Sequence, residues 1–255
     1  MYGVCFMQKM VAGNWKMFGS RELVAEFHAL SVAIKSCSDV HCTIFPPAIL
    51  MEFARNCWDE RIEVGIQDCG VAKEGAYTGD ISAHLAASLG ARSAIVGHSE
   101  RRMDRGDNVE VVRKKVHAAV SADLNVVFCV GETHDAREDG HSWKSVLKSQ
   151  LESLRELVFH GSTLSIAYEP VWAIGTGLRA NSDQIVETHA FVKDILTEII
   201  GDLALSTPIL YGGSVKPDNA AELASLPGVD GALVGGASLN VESFAAIVKA
   251  FHSAS

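Results

Sequence analysis

The chain has 255 residues, 48% apolar and 21% charged, which supports a large core and excludes a disordered protein. Its net charge is −9 with no long Lys/Arg tract, which argues against a general nucleic-acid surface; an anionic ligand must be met by local positive charge. No window approaches the roughly 18 apolar residues of a membrane span, and residues 1–12 lack a basic leader segment, so a cytoplasmic protein with no membrane partner is expected.

In chain order, residues 10–12 read as a strand ending at Gly13, and Ser20 can cap a helix over 21–35. Residues 42–45 form the next strand before Pro46, and Pro47 opens a helix over 48–57. Strands at 62–66 and 93–96 end at Gln67 and Gly97, and 107–122 has apolar residues at helical spacing. The strand 126–130 ends at Gly131, with a helical pattern over 143–159. The strand 164–168 ends at Glu169; Ser182 can cap a helix over 183–200, with Gly201 at its C-terminal side. Residues 208–211 end at Gly212, and Pro217-Asp218 starts a helix over 219–226. The last strand, 231–234, ends at Gly235, and 238–251 holds the last helix.

Strands alternating with helices imply parallel pairing with right-handed crossovers, and nearly continuous apolar strands imply burial on both faces. About eight such units without a composition break predict one α/β domain over 1–255, a closed parallel eight-stranded (βα)8 barrel. The competitor is an open doubly wound sheet, which periodicity alone does not exclude. Six cysteines, at 5, 37, 42, 57, 69 and 129, form no C-x-x-C pair. A chain this long needs no disulfide staples, so reduced thiols are the default.

The chemistry-bearing residues follow the strands, and in a parallel barrel those strand ends share one face. The run 168–177, Tyr-Glu-Pro-Val-Trp-Ala-Ile-Gly-Thr-Gly, sets Glu169 at the end of a buried strand, with Pro170 biasing it away from helix. A carboxylate held there beside apolar groups suits a general base, although a Glu-Pro pair alone reads as an ordinary turn. Asn14 and Lys16 after the first strand offer a donor and a cation to an anionic oxygen; alone, Lys16 reads as a solvated surface residue. His98 after the fourth strand could pass protons between two oxygens, and Glu100, Arg101 and Arg102 form either an ion-pair network behind it or a charged helix start. Tyr211-Gly-Gly-Ser214 and Val234-Gly-Gly-Ala237 put paired glycines at adjacent strand ends, where backbone N–H groups can point at a phosphate. Gly175-Thr-Gly-Leu-Arg-Ala180 also fits a dinucleotide pattern, but Glu169-Pro170 and Trp172 precede it where that pattern wants a strand.

Together these segments resemble the triosephosphate isomerase family over nearly the whole chain. The resemblance rests on Gly13 to Met17, Gly75-Ala-Tyr-Thr-Gly79, Gly97 to Arg102, Cys129-Val-Gly-Glu132, Ala167 to Gly177, Tyr211 to Ser214 and Gly235-Gly236. It implies a TIM barrel that interconverts dihydroxyacetone phosphate and D-glyceraldehyde 3-phosphate through an enediolate, with no cofactor or metal. By resemblance, Glu169 is the base, a neutral His98 polarises the carbonyl, and Lys16 and Asn14 stabilise the developing negative charge. Backbone N–H groups of Gly175, Ser214, Gly235 and Gly236 would hold the phosphate under a loop from Pro170 to about Ala180, with Glu100 and Cys129 in support. It also implies a homodimer in which the loop around Tyr77-Thr78 reaches toward the partner's Asn14 and Lys16, with Gln67 at the base of that region. Leu178-Arg179-Ala180, where the family often has Lys-Thr-Ala, and Met103-Asp104-Arg105 depart from the pattern. The alternatives are a paralogous isomerase of another short phosphorylated ketose and a non-catalytic phosphosugar binder.

Overall fold

A computed structural model of the chain describes residues 8–159, 164–173 and 179–254. Eight parallel strands close into a barrel in sequence order: β1 (Lys9–Asn14), β2 (Val40–Phe45), β3 (Glu63–Ile66), β4 (Ser93–Val96), β5 (Asn125–Val130), β6 (Leu164–Tyr168), β7 (Ile209–Tyr211) and β8 (Gly231–Val234). Closure comes from β8 pairing with β1, Met10 opposite Gly231 and Gly13 opposite Val234, which rules out the open doubly wound sheet.

The core has two layers because successive strand residues face opposite ways. On β5, Val127 and Cys129 belong to the barrel interior, while Val126, Phe128 and Val130 belong to the layer between barrel and helices. Met10, Ala12, Phe45, Ile95, Ala167, Leu210 and Leu233 complete the interior group. With both faces covered by apolar atoms, a strand needs no polar side, so hydropathy along it is continuous.

The helices form where expected, with ends decided by side-chain caps. Asn181, rather than Ser182, caps the helix Ser182–Ile200: its Oδ1 accepts from Gln184 N at 2.8 Å, and Gln184 Oε1 accepts from Asn181 N at 3.0 Å. The last helix starts later than the expected 238, with Asn240 capping Val241–Ser253, because residues 236–239 form a separate 3-10 turn. Asn108 caps Val109–Ser121. The preceding Asp107 turns inward to meet Lys115 at 2.7 Å and Arg101 at 3.2 Å. The pattern over 21–35 divides at Phe27 into Arg21–Glu26 and His28–Ala33. The pattern over 143–159 stops early, with helix over Ser142–Leu151 and a 3-10 turn over Glu152–Leu154. The segment opened by Pro217-Asp218 is helical over Ala220–Ser225, inside the expected 219–226. Short helices at Ala83–Ser88, Ser99–Asp104 and His134–Glu138 have too few turns for their periodicity to show in sequence.

Candidate active site

Alternation carries two side chains from the barrel interior to its mouth. Asn14 lies two residues beyond the inward Ala12, and Glu169 two beyond the inward Ala167. Both are nearly sealed from solvent, at 5% and 2% exposure. Simple alternation would turn His98 outward, like Val96. Gly97 resets the direction with φ +75°, a conformation open to glycine at little cost.

Lys16 holds a left-handed backbone, φ +53°, which costs a non-glycine residue free energy. Three contacts keep it there. Its N–H donates to Asn14 Oδ1 at 2.9 Å, its carbonyl accepts from Gln67 Nε2 at 2.8 Å, and the preceding Trp15 is locked. Trp15 donates from Nε1 to Ser238 O at 2.9 Å and packs edge-on against Phe27 and Trp58. The Lys16 ammonium then lies 2.5 Å from Glu100 Oε1. Partial burial alone would raise the Glu100 carboxyl, but the hydrogen bond and the charge of Lys16 hold it below the ordinary range.

Glu169 rests in a cradle of donors. Its Oε2 accepts from Ser99 N at 2.9 Å, and its Oε1 from Ser99 Oγ at 3.2 Å. His98 Nε2 lies 3.0 Å from Glu169 Oε1. His98 Nδ1 accepts from Glu100 N at 3.3 Å, which leaves Nε2 as the N–H donor of a neutral ring. Room for this packing comes from two glycines. A Cβ on Gly131 would lie 1.9 Å from Glu169 O, and one on Gly212 would lie 2.9 Å from Glu169 Cγ. Beneath the base, burial and the Glu169 charge push the Cys129 thiol far up, so it packs as a small apolar group. Arg102 ties the two neighbouring strand ends, donating to Gly97 O at 2.7 Å and Cys129 O at 3.0 Å.

Asn14, Lys16, His98 and Glu169 share one cavity of about 690 Å³ with Ser214, Gly235 and Gly236. Glu100 lies outside it, on a neighbouring cavity of about 810 Å³ that also reaches Lys16, Gln67 and Tyr77. Gly175 falls among residues 174–178, outside the described residues. Nothing in the sequence marks Ser99 for a role, although it directly follows His98. Lys216, which lines the cavity just after the Tyr211-to-Ser214 turn, is equally unmarked in the sequence. In the sequence Glu132 stands out only as the end of the Cys129-Val-Gly-Glu132 run. Its Oε1 accepts from Tyr168 Oη and Trp172 Nε1, both at 2.9 Å, and its carbonyl accepts from Val171 N at 3.2 Å. Burial raises the Glu132 carboxyl despite these donors and the nearby Arg137 charge.

A carboxylate and an imidazole in contact, in a cavity that a cation and two glycine turns also line, define a barrel enzyme suited to moving protons on a small anionic carbonyl compound. The family model for triosephosphate isomerase matches residues 9–251, and the chain belongs to that family. Triosephosphate isomerase from Granulibacter bethesdensis is 45% identical over 250 residues, covering 96% of this chain and 99% of that one. The Rhizobium meliloti enzyme is 44% identical, covering 96% of each. The crystal structure of triosephosphate isomerase from Bartonella henselae superposes with a TM-score of 0.86 at 40% identity, covering 96% of this chain and 99% of that one.

Proposed function

We propose how this cavity divides the labour of the family's reaction, which this chain carries out: the glycolytic interconversion of dihydroxyacetone phosphate and D-glyceraldehyde 3-phosphate. Glu169 is the base that takes a proton from the carbon beside the carbonyl. To reach it the carboxylate leaves Ser99 and His98, so the anion that meets the substrate has given up three donors. The vacated His98 Nε2–H donates to the substrate carbonyl oxygen and moves protons between the two oxygens of the enediolate. Lys16 and Asn14 stabilise the negative charge that develops there, in a site where little water competes. The N–H groups of Ser214, Gly235 and Gly236 receive the phosphate, with Gly175 as a fourth donor. Glu100 supports by orienting Lys16 and by its N–H bond to His98, and Cys129 by filling the space beneath Glu169.

The observation that carries this reading is the 3.0 Å contact between His98 Nε2 and Glu169 Oε1 in the cavity that Lys16 and Asn14 also line. The test is a coupled isomerase assay of wild type beside Glu169→Gln, on three- and four-carbon sugar phosphates. Faster turnover of the four-carbon sugar would replace the substrate. Phosphate binding without hydrogen exchange from labelled dihydroxyacetone phosphate would replace catalysis with binding.

The working form is a cytoplasmic homodimer. Its support is an apolar surface beside the second cavity: Met17 and Ile49 are 95% and 93% exposed, with Phe18 and Tyr77 also exposed. Covering such side chains offsets the cost of association, and in the proposed dimer the exposed Tyr77-Thr78 loop enters the partner's cavity beside its Lys16. Among the described residues no helix is long and apolar enough to cross a membrane.

A further inference from the structure

The cavity must collect a phosphate dianion on a chain whose net charge is −9. The long-range field of such a chain opposes capture, so cations at the mouth set the encounter rate. Two lysines line the cavity, Lys16 and Lys216. Lys16 is paired with Glu100 at 2.5 Å. Lys216 is exposed, and its ammonium has no hydrogen bond or ion pair to any described residue.

The Lys216 backbone is nevertheless held. Its N–H donates to Asn219 Oδ1 at 2.8 Å, and Asn219 Nδ2 donates to Ser214 O at 2.9 Å. One Asn side chain thus ties the lysine to the serine turn at the glycine end of the cavity. Asp218 lines the same cavity with the opposite charge.

We propose that Lys216 determines specificity for the phosphate-bearing form of the substrate, guiding the dianion into the cavity without touching the reacting carbons. This rests on the phosphate seat at Ser214, Gly235 and Gly236 proposed above. A unit charge at the cavity wall, in water screened by salt, changes capture of a dianion by a few-fold at low ionic strength and by less near physiological salt. Asp218 opposes it, so the two residues tune the field in opposite directions.

The experiment measures kcat, KM and competition by inorganic phosphate at both ionic strengths, for wild type, Lys216→Gln, Lys216→Arg and Asp218→Asn. Lys216→Gln is expected to lose a few-fold in kcat/KM at low salt, with the loss in KM, and to weaken phosphate competition in parallel. Lys216→Arg restores both, and Asp218→Asn shifts both the other way. Turnover of unphosphorylated glyceraldehyde does not follow these changes. Equal kcat/KM for Lys216→Gln and wild type at low salt, or an equal loss on unphosphorylated glyceraldehyde, overturns the proposal. Phosphate that competes equally in wild type and Lys216→Gln removes Lys216 alone. Phosphate that does not compete in wild type removes the phosphate seat, and this inference with it.

Discussion

Burial pushes the His189 imidazole down from its ordinary 6.5 to about 4, and the Lys193 charge adds to this against the pull of the Gly228 carbonyl. His189 Nδ1 lies 2.8 Å from Gly228 O, while Nε2 is buried without a partner among the described residues. The ring packs edge-on against Tyr168. Between pH 6.5 and 4 the unfolded chain binds a proton here that the folded chain refuses. Stability therefore falls as pH drops through this window, and above pH 6.5 the group contributes no slope. Integrated from pH 7 to 5, the depressed pKa costs roughly 2 kcal/mol. Other groups titrate too, so the measurable quantity is a difference. His189→Asn keeps a donor toward Gly228 O and removes the titration. Urea unfolding of both proteins at equal protomer concentration should show wild type losing about 2 kcal/mol more than the variant between pH 7 and 5. Parallel pH profiles would refute the argument, whatever the variant's stability at pH 7.

Glu169→Gln should lower kcat by roughly two to four decades with the fold intact by circular dichroism; Lys16→Ala should also cripple turnover, and near-normal rates in either remove the assigned role. Gly131→Ala drives a methyl to 1.9 Å from Glu169 O, so the base must shift. A displacement of about 1 Å predicts a kcat loss near 10²-fold, and an unaltered kcat would mean that β5 yields instead. Tyr77→Asp should make activity depend on protein concentration over a dilution series, while a variant as active as wild type at every dilution argues against the dimer loop. Glu132→Leu leaves Tyr168 Oη and Trp172 Nε1 without their buried acceptor and should lower thermal stability by about 2 kcal/mol or more; an unshifted melting curve would show that these donors find other acceptors.

Strand positions were legible because each is a short apolar run closed by a Gly, Pro or polar residue, as at Gly97, Gly131 and Gly235. Given parallel strands, the strand-end rule brings Asn14, Lys16, His98 and Glu169 to one face, and one cavity contains all four. Helix ends were less legible. Ser182 and Asn181 are both good caps, and the Gln184 side chain decided between them.

The amino-acid order by itself determined which residues reach the barrel mouth, because hydropathy and turn chemistry act between near neighbours and survive in a one-dimensional record. Only the tertiary structure decided that Ser99 cradles the Glu169 carboxylate, that Glu132 receives Tyr168 and Trp172, and that Lys16 is paired while Lys216 is not. Those contacts join residues from different strands and loops, and a hydrogen bond depends on a few tenths of an ångström that closure of the barrel sets.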